Sequence, residues 1–227
     1  MFKKAILSGA VLGSVALLSA CGVSKEAFYV QSVDLAKCTP LSEKGVTDYD
    51  VKSYAVRVPR SLKTNETDNR HPDVDIVWRE DPEGDRHAQV QTIVTDAARR
   101  AFKASNGGQD ANVGIEVAYF HAMSDKTRAT TGGWLTVTLY VTITDPVTQE
   151  LLEPTYELKT QLNGYGGAEA IAAVDRGETQ KYRISRNLTE ALQVDVLGIC
   201  PTEYPAPVAR TKAPVPTGEL PDAVERL

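Results

Sequence analysis

The chain has 227 residues, with 25 Lys and Arg against 30 Asp and Glu, 42% hydrophobic residues and three cysteines. That balance excludes a polytopic membrane protein, a disordered chain and a disulfide-knotted miniprotein. The deficit of positive charge also excludes general nucleic-acid binding, because neutralising phosphates needs a surplus of Lys and Arg.

Residues 1–21 read MFKKAILSGAVLGSVALLSAC: two lysines, an apolar stretch from Ala5 to Leu18, then small residues and a cysteine. This is the pattern of a secretory signal peptide. The apolar stretch is interrupted by Ser8, Gly9, Gly13 and Ser14, and it falls short of the roughly 20 residues a permanent bilayer span needs. Leu18, Ser19, Ala20 and Cys21 resemble the lipobox of bacterial lipoproteins. There the small side chains admit the peptidase and the cysteine thiol takes the diacylglycerol. Lipidation of Cys21 is therefore expected, in preference to ordinary cleavage at an Ala-x-Ala-like site. Gly22 follows, where lipoproteins kept at the inner membrane carry Asp, so the periplasmic face of the outer membrane is favoured.

Loss of residues 1–20 removes two of the 25 basic residues and no acidic one, leaving 23 against 30, a net charge of −7. An acidic body gains nothing from anionic lipid, so attachment falls to the acyl chains, at about 0.8 kcal/mol per buried methylene. Once Cys21 is acylated, only Cys38 and Cys200 remain. In an oxidising compartment a disulfide between them is expected over two separate thiols. Two cysteines without neighbouring histidines do not complete a metal shell.

Residues 21–50 show little periodicity beyond a patch at Phe28, Tyr29 and Val30, and are read as a lipidated tether to a domain spanning 51–200. Tyr54, Val56 and Val58 alternate with Ala55 and Arg57 up to Pro59, which predicts a first strand. A short strand over Asp75–Trp78 leads through Asp81, Pro82 and Gly84 to Asp85, a suitable cap for the strongest helix signal in the chain. Val90, Ile93, Val94, Ala97, Ala98, Ala101 and Phe102 form one apolar stripe there. Val113, Ile115, Val117 and Tyr119 are expected to share one strand face. Leu135, Val137, Leu139, Val141 and Ile143 share another, opposite Thr136, Thr138, Tyr140, Thr142 and Thr144. Asp145–Gln149 is a hairpin turn into a strand carrying Tyr156, Leu158, Thr160 and Leu162. Residues 163–177 read as a Gly-rich mobile loop or a short helix, and Ile184, Leu188, Ala191 and Leu192 mark a second long helix over about 178–197. Six of the 12 prolines fall in residues 201–227, which predicts an extended or disordered tail. The sum is an α+β fold: one mostly antiparallel sheet of about four strands with two helices packed on one face.

Candidate chemistry is sparse. His71, His87 and His121 occur at no metal-ligand spacing. Among the acids Asp73, Asp75, Glu80, Asp81, Glu83 and Asp85, Pro82 and the single Gly84 do not supply the pattern of a calcium loop, and the acids read as helix caps and solvated charge. The GYGG run at 164–167 is neither a P-loop nor a dinucleotide fingerprint and reads as loop flexibility. No Gly-x-Ser-x-Gly elbow is present. Trp134, beside Gly132 and Gly133, is the tryptophan expected to be exposed.

With the lipobox, the stretches DIVWREDPEGDRHAQVQTIVTDAARRAF and QKYRISRNLTEAL, and the strands Val113–His121 and that after Trp134, the core resembles a family of Gram-negative envelope lipoproteins of unknown function over about residues 45–198. The resemblance implies an envelope protein and supplies no catalytic residue. The expectation is a non-enzymatic interaction or envelope-assembly module, membrane-bound by its lipid and binding no cofactor, metal or nucleic acid. An unidentified envelope protein is its expected partner, through Thr138, Tyr140, Thr142 and Tyr165 or through the Pro-rich tail. The competing expectation is a small-ligand binder or hydrolase with a cleft near 163–177 and His121 in an acid-base role.

Overall fold

The structure, a computed structural model, describes residues 29–30, 35–64, 66, 68 and 72–209. The signal segment, Cys21, His71 and the last 18 residues lie outside the described residues.

Six strands form one sheet: β1 (Tyr29–Val30), β2 (Tyr49–Arg57), β3 (Ile76–Val77), β4 (Gln109–His121), β5 (Gly133–Thr144) and β6 (Tyr156–Gly164). The order is β1-β6-β5-β4-β2, with β3 pairing to the far end of β4 beyond β2. The β4-β5 and β5-β6 pairs are antiparallel, whereas β1, β2 and β3 each run parallel to their neighbour. The expectation of a mostly antiparallel sheet of about four strands is corrected to a mixed sheet of six. Alternation of apolar and polar residues reports which face a strand buries and says nothing about direction. Direction is imposed by connections: the helix between β3 and β4 carries the chain back across the sheet and makes that pair parallel.

Among the described residues that helix is one of five: α1 (Leu41–Lys44), α2 (Arg86–Phe102), α3 (Asp125–Ala129), α4 (Gly167–Asp175) and α5 (Gln180–Asp195). Only α2 and α5 are long, and they are the two that the apolar stripes predict. The others were missed or left open because four to nine residues give barely two turns of periodicity. Helix α2 begins where Asp85 Oδ1 accepts from the Ala88 amide at 3.1 Å. Helix α5 begins where Thr179 Oγ1 accepts from the Tyr182 amide at 3.1 Å. Alanines 97, 98 and 101 on α2 are fully buried and let the helices approach closely. Thr189 Oγ1 of α5 donates to the Ala97 carbonyl at 3.4 Å.

Both long helices cover the face made by Ala111, Val113, Ile115 and Val117 of β4 and by Leu135, Val137, Leu139, Val141 and Ile143 of β5. A bulge between Val117 and Tyr119 then shifts the phase of β4. Phe120 takes the core position, against Trp78 edge-on at 5.8 Å, while Tyr119 and His121 turn to the opposite face. The expectation that Tyr119 lies with Val113–Val117 is thereby corrected. The inserted residue, Ala118, is invisible to a period-two pattern.

Cys38 and Cys200 are disulfide-bonded, with Cα atoms 4.8 Å apart. The bond ties the segment entering α1 to the end of the α5 arm, where the Cys200 amide also donates to the Thr39 carbonyl at 3.0 Å. Within residues 21–50, β1 pairs with β6 and α1 precedes β2, which starts at Tyr49. Residues 201–209 form no helix or strand, yet they lie against the helices. Tyr182 Oη donates to the Pro205 carbonyl at 3.1 Å, and the Arg100 guanidinium sits 5.5 Å from the Tyr204 ring.

Candidate functional site

With two helices on one face, the opposite face of the sheet is left uncovered by them, and the strand register writes its surface row by row. Arg57, Glu116, Tyr140 and Glu157 form one row across β2, β4, β5 and β6. Tyr119, Thr138 and Lys159 form another, and His121, Thr136 and Gln161 a third. Trp134 and Asn163 pair beyond that.

At the Trp134 end lies a cavity of about 800 Å³. Its floor is the His121, Thr136 and Gln161 row with Tyr119, its rim is Trp134, and its wall comes from α3 and the Thr131–Gly133 turn. His121 is locked. The Val74 carbonyl, 2.6 Å from Nε2, only accepts, so Nε2 carries the proton. Nδ1 is then the acceptor, and Tyr119 Oη donates to it at 2.6 Å with the two rings stacked at 3.9 Å. Burial holds the imidazole below its ordinary pKa, and it likewise raises the Tyr119 phenol. A histidine with both nitrogens engaged and the neutral form favoured is poorly set up as a general base. The cavity is bounded by residues 131–134, whereas 163–177 contributes none of its lining.

A second, shallower trough of about 400 Å³ lies over Gly114, between Ala55, the Arg57–Glu116 ion pair, Tyr140 and Thr142. Thr142 Oγ1 and Thr155 Oγ1 are hydrogen-bonded at 3.0 Å. Of the residues proposed for interaction, Tyr140 is 40% exposed and Thr142 half-buried. Thr138 is only 8% exposed, flanked across the strands by the long side chains of Tyr119 and Lys159. Tyr165 is not brought to this face. Its ring lies past the end of β6 with the Arg183 guanidinium of α5 stacked 3.8 Å above it.

Four acids of the run, Asp75, Glu80, Asp81 and Asp85, are tied into local structure. Glu80 accepts from the Gln180 and Lys181 amides at 3.1 and 2.6 Å and so caps α5 from a distance. Asp81 accepts from the Trp78 indole at 2.9 Å and pairs with Lys181 at 2.9 Å. Asp85 caps α2 and pairs with Arg60, and that pairing with the Ala88 amide draws its carboxyl down to about 2. Buried Arg86 is held by a bidentate Glu66 at 2.8 and 2.9 Å and by the Asp81 and Pro82 carbonyls. Among the described residues, no three His, Cys, Asp or Glu side chains converge as a metal site. Sequence reasoning missed the cavity because its floor joins three strands whose register no local pattern reports. The exposed Trp134 next to two glycines was its one legible signal.

Among solved structures, a Xanthomonas campestris protein of the family DUF330 is 13% identical with TM-score 0.40, over 67% of this chain and 82% of that one. A candidate lipoprotein from Caulobacter crescentus is 13% identical with TM-score 0.28, over 50% and 82%. An uncharacterized protein is 15% identical with TM-score 0.31, over 63% and 92%. Likenesses this loose carry no argument about fold or function. No curated protein matches the chain. A family model described as a family of unknown function, DUF6778, matches residues 49–208, and the chain belongs to that family.

Proposed function

We propose that this DUF6778 member is a lipid-anchored, non-enzymatic binding module of the cell envelope, attached through Cys21 at the periplasmic face of the outer membrane. Its working surface is the sheet face that the two long helices leave uncovered. The observation that carries the reading is the asymmetry of the sheet: one face is sealed by α2 and α5, the other presents Tyr140, Thr142 and Trp134 to solvent. An aromatic set in a polar, hydroxyl-rich surface supplies contact area at low entropic cost, which suits recognition of another envelope component. The lipobox at residues 18–21 supports the anchor, and among the described residues no helix is long and apolar enough to cross a membrane.

Two measurements test this. Mass analysis of the native N-terminal fragment should find Cys21 acylated, and Cys21→Ser should release the protein from the membrane fraction. A photo-crosslinking amino acid at Tyr140 should yield a discrete adduct in intact cells, whereas the same probe at Arg99 on the solvent side of α2 should not. Equal or absent adducts at the two positions would remove the sheet face as the working surface.

A further inference from the structure

We infer that the cavity at the Trp134 end of the sheet binds a neutral saccharide, with the Trp134 indole as the stacking platform and Thr136 and Gln161 as the hydrogen-bonding floor. This site is separate from the trough beside Tyr140 and stands whether or not a protein docks there.

The argument runs by elimination and then by fit. Among the described residues, Asp73 is the one carboxylate lining the cavity, and neither Lys nor Arg lines it. His121 adds no positive charge, since its proton is fixed on Nε2 by Val74 and its lone pair is taken by Tyr119. A ligand carried by phosphate or carboxylate finds no counter-charge among those lining residues. A quaternary ammonium group needs several open aromatic faces, and the Tyr119 ring is already covered by His121 at 3.9 Å.

What remains on offer is one broad apolar surface and a ring of hydroxyls and amides. Trp134 is 55% exposed, although burying an aromatic of this size is strongly favoured. Its backbone is pinned by pairing with Asn163, which fixes the sheet face from which the indole emerges. Gln161 Nε2 reaches Thr136 Oγ1 only at 3.4 Å. That long contact leaves most of the capacity of an amide with two donors and an acceptor for something else. A sugar ring has the complementary chemistry: an apolar C–H face for the indole and equatorial hydroxyls for the hydroxyl and amide groups. The volume, about 800 Å³, lies within the usual range for small-ligand sites and admits more than one ring.

The test uses the full chain in micelles of a detergent without a sugar headgroup, with the two tryptophan indoles ¹⁵N-labelled. Trp78 is buried with its Nε1 hydrogen-bonded to Asp81, so it serves as the internal reference. The probes are di-N-acetylchitobiose, an amino-sugar representative of wall glycan, and maltose and melibiose, which represent hexose-rich surface glycans. At least one should move the Trp134 indole signal saturably while Trp78 stays put. Which one responds distinguishes the sources. Thr136→Val and Gln161→Leu should each weaken binding by about tenfold, and Trp134→Ala should abolish it while Trp134→Tyr retains part. The exposed position of Trp134 predicts an unchanged melting temperature for these rim variants. If no probe moves the Trp134 signal up to about 10 mM, or if the Thr136→Val and Gln161→Leu variants bind as well as the parent, the inference is overturned.

Discussion

His121 shows how a single residue changes meaning between sequence and structure. Near the end of a strand it invites an acid-base role, but the Val74 carbonyl and the Tyr119 hydroxyl occupy both ring nitrogens at 2.6 Å. Burial places its folded-state pKa below the ordinary 6.5. As pH falls, the unfolded chain takes the proton first, so the stability contributed by the neutral imidazole is complete above 6.5 and drains away as pH falls through the depressed folded value. His121→Gln can keep a donor toward Val74 but does not titrate. It should cost about 1–3 kcal/mol at neutral pH, from the lost Tyr119 bond. It should also flatten the decline in urea midpoint expected of the parent as pH falls below 6.5. A parent and variant with the same pH slope would mean that folding leaves the pKa of this imidazole unshifted.

At the scale of elements, the glycines decide more than their composition suggests. The GYGG run reads in sequence as flexibility, yet Gly166 is the point where the end of β6 crosses the turn before β5. A Cβ on Gly166 would meet the Gly132 amide nitrogen and would lie 2.5 Å from the Thr131 carbonyl carbon. Gly132, at φ +70°, faces the Gly164 carbonyl in the same way. Backbone against backbone has no flexible end to give way. Gly166→Ala should therefore destabilise by more than the usual surface substitution, on the order of 2–4 kcal/mol, whereas Gly108→Ala, with nothing within 4 Å of its Cβ position, should stay within about 0.5 kcal/mol. Thermal melts of the pair check this, and equal shifts would show that the crossing is loose. Because Gly132 and Gly133 line the cavity, Gly166→Ala should disturb the Trp134 rim as well. The cap at Asp85, by contrast, was legible locally, since it bonds an amide three residues on; Thr179 caps α5 in the same way and was not singled out in the sequence.

At the scale of the whole molecule, the Cys38–Cys200 bridge closes a loop of sequence separation 162. The chain-entropy model assigns a loop of that size an upper bound of about 5 kcal/mol, with about 2–4 kcal/mol usual in practice. Cys38→Ser should lower the urea midpoint accordingly without changing the fold, and reductant should do the same to the parent while leaving the variant unmoved. A variant as stable as the parent would place the staple's constraint elsewhere, in the sheet and the helix pair. The bridge also fixes the segment that follows the expected lipid anchor to the arm leaving α5.

Composition and local pattern alone determined the pairing of Cys38 with Cys200, the two long helices with the Asp85 cap, and which face of β5 is buried. Each of these is written within a few residues or by counting. Strand direction, the bulge that turns Tyr119 and His121 outward, the burial of Thr138 and the cavity beneath Trp134 were decided only by tertiary structure. They depend on which strands become neighbours and in what register, and that choice is made by connections and packing far apart along the chain.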